Sequence, residues 1–102
     1  MRKFKKRYEL PNGRFSLRRT RDGAGDSGGM LNAITLPPKK VKYESNVLEI
    51  GKACQCGSLF GRSYSGQDWW LTTPITHFLE VDEDKGYFKF ETQNSTYELR
   101  VG

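Results

Sequence analysis

Cysteine and histidine are scarce in this chain, long apolar runs are missing, and the first 42 residues hold almost no acid. The two cysteines, Cys54 and Cys56, flank a single residue, and a bridge there would close too small a loop to staple a fold. They are expected as thiols. The one histidine, His77, is the only plausible third ligand for a metal held by that pair, and no fourth is evident. Unless a dimer shares the site, no metal is expected, and no cofactor either. No apolar run approaches the roughly 20 residues that span a bilayer. The basic start is not followed by an apolar signal region, so a cytoplasmic location is the expectation.

Acid is short only at one end. Residues 1–42 carry twelve Lys/Arg against three Asp/Glu, and residues 43–102 carry five against nine. Nine of the cations lie in the first 21 residues, opposed there only by Glu9. Such a density attracts polyanions even though the whole chain is only +5. Nucleic acid or a nucleoprotein is the first partner this suggests, with an acidic protein surface as the other. The same charges would also serve as solvated strand residues guarding a sheet edge.

A chain of 102 residues makes one domain. Thirteen aromatics favour sheet over helix, and no stretch carries a helical apolar repeat of useful length. Residues 2–21 read as a basic β-hairpin turning at Asn12-Gly13. In that register Leu10 faces Phe15, Tyr8 faces Leu17 and Arg7 lies across from Arg18, a repulsion that an anion would relieve. Residues 22–29, with four glycines, read as a mobile loop. Residues 30–102 form the body. There Met30 to Leu36 is one strand, and a second slips its alternation at Ser45-Asn46, where a bulge or turn is expected. Leu71, Ile75, Leu79 and Val81 share the inward parity of a long strand, with Pro74 at an edge or bend. Phe88 with Phe90, then Tyr97, Leu99 and Val101, line the last strands. The fold expected is all-β: a small curved antiparallel sheet or an SH3-like or OB-like barrel, with the hairpin beside it.

The outward face of the hairpin supplies the candidate contacts Lys3, Lys5, Arg7, Arg14 and Arg18, and Lys6, Arg19 and the Lys39-Lys40 pair extend it. In Trp69-Trp70 the parity makes Trp69 the inner ring and Trp70 the outer. Trp70 with Tyr64 and Arg62 would form a platform for stacking a base or anchoring a protein; equally, both indoles are buried. His77 shares the core parity and reads as a structural group.

Gly25-Asp26-Ser27-Gly28-Gly29 resembles the nucleophile motif of chymotrypsin-like serine proteases, which would give Ser27 the attack on a carbonyl and Gly25 the oxyanion contact. That family's base histidine precedes its serine, whereas His77 comes fifty residues after Ser27. No enzymatic activity is expected. Trp70-Leu71-Thr72-Thr73-Pro74-Ile75, followed by Phe90-Glu91-Thr92-Gln93-Asn94-Ser95-Thr96-Tyr97-Glu98-Leu99, resembles the ending of small β-domains carried by bacterial phages and other mobile elements. That resemblance covers the last third of the chain and implies action on a host nucleoprotein. The leading expectation is a non-enzymatic nucleic-acid or nucleoprotein binding module. The alternative is a phage-type inhibitor of a host protein, such as an anti-CRISPR protein acting on a CRISPR effector.

Overall fold

The computed structural model describes residues 4–35, 40, 42–57 and 69–102, Trp69 by its backbone alone. All ten elements among these residues are strands. Eight form one antiparallel sheet. Its order is β3 (Gly25–Gly28), β2 (Phe15–Arg19), β10 (Thr96–Val101), β9 (Tyr87–Thr92), β8 (Trp69–Asp82), β7 (Ala53–Gly57), β4 (Met30–Thr35) and β5 (Lys42–Ser45). The other two, β1 (Arg7–Glu9) and β6 (Val47–Glu49), make a separate two-stranded ribbon. The sheet is curved but not closed into a barrel, since its terminal strands β3 and β5 do not pair with each other. The all-β curved sheet expected from alternation is therefore present, without the SH3-like or OB-like closure.

The curvature is produced at β8. Its first half pairs with β7 as far as Ala53 opposite Pro74, and its second half pairs with β9 from Ile75 onward. Proline lacks the N–H a continuous ladder needs, so it suits the residue where the strand passes from one partner to the next. Two register shifts follow, between Ile75 and His77 and between Phe78 and Glu80. Each bulge reverses the parity of what comes after it. Phe78 consequently turns into the core at 6% exposure, while Leu71 and Leu79 are exposed and the His77 side chain is 70% exposed. Strict alternation had placed Leu71, His77 and Leu79 inward; these two bulges undo it for His77 and Leu79, and a further register shift against β7, between Leu71 and Pro74, undoes it for Leu71.

The concave face buries Phe15 and Leu17 of β2, Leu99 of β10, Phe88 and Phe90 of β9, and Cys54 and Cys56 of β7. Tyr8 of β1 closes the core with its ring edge-on to Phe78, the centroids 4.8 Å apart, and Phe88 lies 5.6 Å away. The N-terminal hairpin does not form. β1 pairs with β6, setting Arg7 opposite Glu49, and β2 pairs with β10, setting Arg18 opposite Glu98. The hairpin would have faced Arg7 with Arg18; the observed pairings replace that repulsion by an Arg7–Glu49 ion pair and by a register that sets Arg18 across from an acid instead of a cation.

Residues 22–29 also differ from expectation, because Gly25–Gly28 is a strand on the edge of β2. A Cβ at position 25 would lie 1.9 Å from the Leu17 carbonyl oxygen, so glycine here serves close backbone approach. The slip at Ser45-Asn46 is a turn between β5 and β6, with Asn46 in the left-handed region at φ 57°. Asparagine tolerates that conformation better than most residues.

Candidate functional site

The basic residues singled out from the sequence have different fates. Arg7 is taken up by acids. Its Nη1 lies 2.6 Å from Glu49 Oε1 and also pairs with Glu44, and its Nη2 is 3.3 Å from Glu9. Lys52 completes the cluster by pairing with Glu44 and lying 3.4 Å from Glu49. The hydrogen bond that Arg7 donates to Glu49 and the pairing with Glu44 hold its guanidinium well above its ordinary pKa, and Lys52 holds the Glu44 carboxyl below its own. Arg7 is thus a structural cation rather than a free contact. The cluster joins β1, β5 and β6 and sets the N-terminal segment against β5.

Arg19 is engaged as well. It forms a two-pronged pair with Asp22 at 3.0 and 2.7 Å and lies 5.3 Å from the centroid of the Trp70 ring. That pairing lowers the Asp22 carboxyl to about 2. Its contribution to stability stands above the ordinary carboxylate range and fades as the pH falls toward 2. Trp70 is partly buried against the core, its Nε1–H donating to the Tyr97 hydroxyl at 3.3 Å. With Arg19 over its face it is not the open outer platform the parity suggested. Lys5 is exposed, 3.6 Å from Glu83.

Arg14, Arg18 and Lys40 remain as exposed cations, joined by Lys6, Arg21 and Lys42. Among the described residues none of these six pairs with a carboxylate. Arg18 donates only to the Ser27 hydroxyl at 2.9 Å and the Leu17 carbonyl. Lys3, Lys39, Arg62 and Tyr64, and the side chain of Trp69, lie outside the described residues.

One contact went unread in the sequence. Tyr43, on the edge strand β5, is 64% exposed, the most exposed large apolar side chain among the described residues. It follows Lys42, with Lys40 three positions before it, and both are exposed. An aromatic within a run of lysines was the available signal. Arg7 pairs with Glu44, the next residue along β5, so one side chain of the first basic stretch reaches the strand that follows the second.

The chemistry-bearing motifs take structural places. Ser27 accepts from Arg18 and contacts the Ser16 hydroxyl, whereas exposed His77 on β8 lies 3.5 Å from Glu91. Serine and histidine therefore have separate partners on separate strands. Both cysteines are free thiols, and both are buried. Burial pushes the Cys54 thiol well up and Cys56 to about 12, so neither is a thiolate near neutral pH. Among the described residues no group of three or more His, Cys, Asp or Glu side chains is placed to hold a metal, and no helix is long and apolar enough to cross a membrane.

No family model matches the chain, and no curated protein or solved structure matches it.

Replacing Arg7 by Glu is expected to destabilise the protein, because it sets a fourth carboxylate beside Glu9, Glu44 and Glu49 and leaves Lys52 the only cation among them. Arg18→Glu, on an open face, is expected to melt much closer to the parent, though it meets Glu98 across the ladder. Thermal melts of the two variants check this; equal melting temperatures would show that the Arg7 cluster does not tie the ribbon to β5.

Proposed function

We propose that the protein is a non-enzymatic module that binds single-stranded nucleic acid along the β5 edge. Lys6, Lys40 and Lys42 neutralise phosphates and Tyr43 stacks a base, while Arg14, Arg18 and Arg21 add longer-range attraction. The observation that carries this reading is the exposed Tyr43 ring on β5, a terminal strand of the sheet, next in sequence to Lys42, which is exposed and pairs with no carboxylate among the described residues. Base stacking on an aromatic is tolerant of sequence, and phosphate neutralisation carries no base information, so the contact should be strong at low salt and weakly selective.

Labelled single-stranded DNA and RNA and their duplexes, titrated at two salt concentrations, test the proposal. Binding should weaken as salt rises. Tyr43→Ala should weaken single-strand binding about tenfold, the scale of one lost stacking contact. Lys40→Glu with Lys42→Glu should weaken it further and flatten the salt dependence. Absence of binding at low salt would overturn the proposal. A specific protein retained from nuclease-treated lysate in place of nucleic acid would favour the inhibitor alternative.

A further inference from the structure

The second edge of the β1–β6 ribbon is open and lines a cleft. The Ile50 amide donates to the Lys6 carbonyl and the Leu10 amide to the Asn46 carbonyl, both at 2.8 Å, with Tyr8 opposite Leu48 between them. In an antiparallel ladder the bonded pairs alternate. Lys6, Tyr8 and Leu10 therefore direct their main-chain groups at β6, and Arg7 and Glu9 direct theirs the other way. Among the described residues no strand pairs with that side of β1.

A cleft of about 540 Å³ runs along β1, lined by Lys5 and residues 7–11 on one wall and by Glu83, Asp84, Lys85 and Gly86 of the β8–β9 turn on the other. No residue of β6 lines it, so it lies on the open side. Tyr8, Leu10, Phe88 and Val101 give it an apolar floor. A second cleft continues it past Lys5 to Glu80 and Asp82. Five carboxylates (Glu9, Glu80, Asp82, Glu83 and Asp84) border the two, against the cations Lys5, Arg7 and Lys85. Arg7 is already committed to Glu44 and Glu49. The surroundings are acidic on a chain whose net charge is +5. Lys5 already sits 3.6 Å from Glu83, showing where a cation fits.

We propose that this edge is a strand-addition site for an extended segment of a partner protein that bears lysine or arginine at alternate positions. The main-chain groups of Arg7 and Glu9 extend the ladder to the segment, its small apolar residues cover Tyr8 and Phe88, and its cations reach Glu83 and Asp84. The site is separate from the β5 edge and does not depend on phosphate binding there.

The test uses the full chain and a labelled peptide of sequence Lys-Val-Arg-Val-Lys, its counterpart with Glu at the charged positions, and versions N-methylated on either alternate set of amides. Binding is followed by fluorescence anisotropy and by amide shifts in NMR spectra. The cationic peptide is expected to bind and shift the Arg7 and Glu9 amides. Charge reversal of the peptide, or methylation of the amides that face β1, is expected to weaken binding at least tenfold, as is Glu83→Lys with Asp84→Lys. If that variant does not fold, the methylated peptides decide on the parent protein. No binding of the cationic peptide, equal binding of all methylated versions, or shifts that miss β1 would overturn the proposal. So would concentration-dependent dimers protected at Arg7 and Glu9, which would make a second copy of the chain the occupant.

Discussion

Phe90→Ala is expected to cost about 3–5 kcal/mol and to leave the protein largely unfolded at moderate temperature. Phe90 is fully buried in the middle of β9, where its ring stacks on Tyr97 at 5.9 Å and meets Phe78 edge-on at 6.4 Å. Those neighbours come from the strands on either side, β10 and β8, so the cavity would open between three strands that cannot collapse together without breaking register. Exposed Leu79 on β8 supplies the contrast, since Leu79→Ala removes a side chain that is already 44% in water. Thermal or denaturant melts of both variants check the pair. A Leu79→Ala protein as damaged as Phe90→Ala would mean that the bulges in β8 are misplaced.

Gly25→Ala should act by a different route. The added methyl would meet the Leu17 carbonyl oxygen at 1.9 Å and the adjoining carbonyl carbon at 2.8 Å. Both are backbone atoms of the neighbouring strand, so relief requires β3 to lift from β2, at a cost of roughly 1–3 kcal/mol. The loss should be concentrated at the edge, where the Arg19 amide donates to the Ala24 carbonyl at 2.7 Å. Hydrogen exchange should therefore show lost protection at Arg19 before the centre of the sheet is affected. Gly13→Ala is the control: its methyl would touch only Val101 at an ordinary 3.5 Å, and the melting temperature should scarcely move. Parent-like exchange in Gly25→Ala would show that the segment is a loose loop after all.

The contrast between these positions shows which parts of the fold were legible. Alternation of apolar residues marked Phe88, Phe90, Tyr97 and Leu99 correctly, because β9 and β10 are regular from end to end. It failed along β8, where three extra residues change the facing of the side chains and nothing local announces them. The glycines of residues 22–29 looked like freedom, since glycine is compatible with a loose loop and with tight strand contact, and only the approach of Leu17 decides between these. Pairing was the least legible feature. Asn12-Gly13 is a strong local turn signal, yet the partner of Arg7 is Glu49, 42 residues away, and no local pattern encodes it.

The same non-local charge explains the revised interface. A dense run of cations suggested a continuous basic face at residues 3–21. Folding brings Glu44, Glu49 and Asp22 to Arg7 and Arg19, and so selects which cations stay open. Arg14, Arg18 and Lys40 survive that selection. Tyr43 was overlooked because strand alternation treats a tyrosine as core by default, and its 64% exposure follows from the edge position of β5.

The measurement that bears most directly on the proposed function is an NMR titration of the isotopically labelled protein with a short single-stranded oligonucleotide. The β5 edge should respond first, with shifts at Lys40, Lys42 and Tyr43 and ring-current changes at the Tyr43 side chain that disappear in Tyr43→Ala. Shifts confined to Arg14, Arg18 and the outer face of β2, or no shifts at low salt, would contradict a nucleic-acid site on β5.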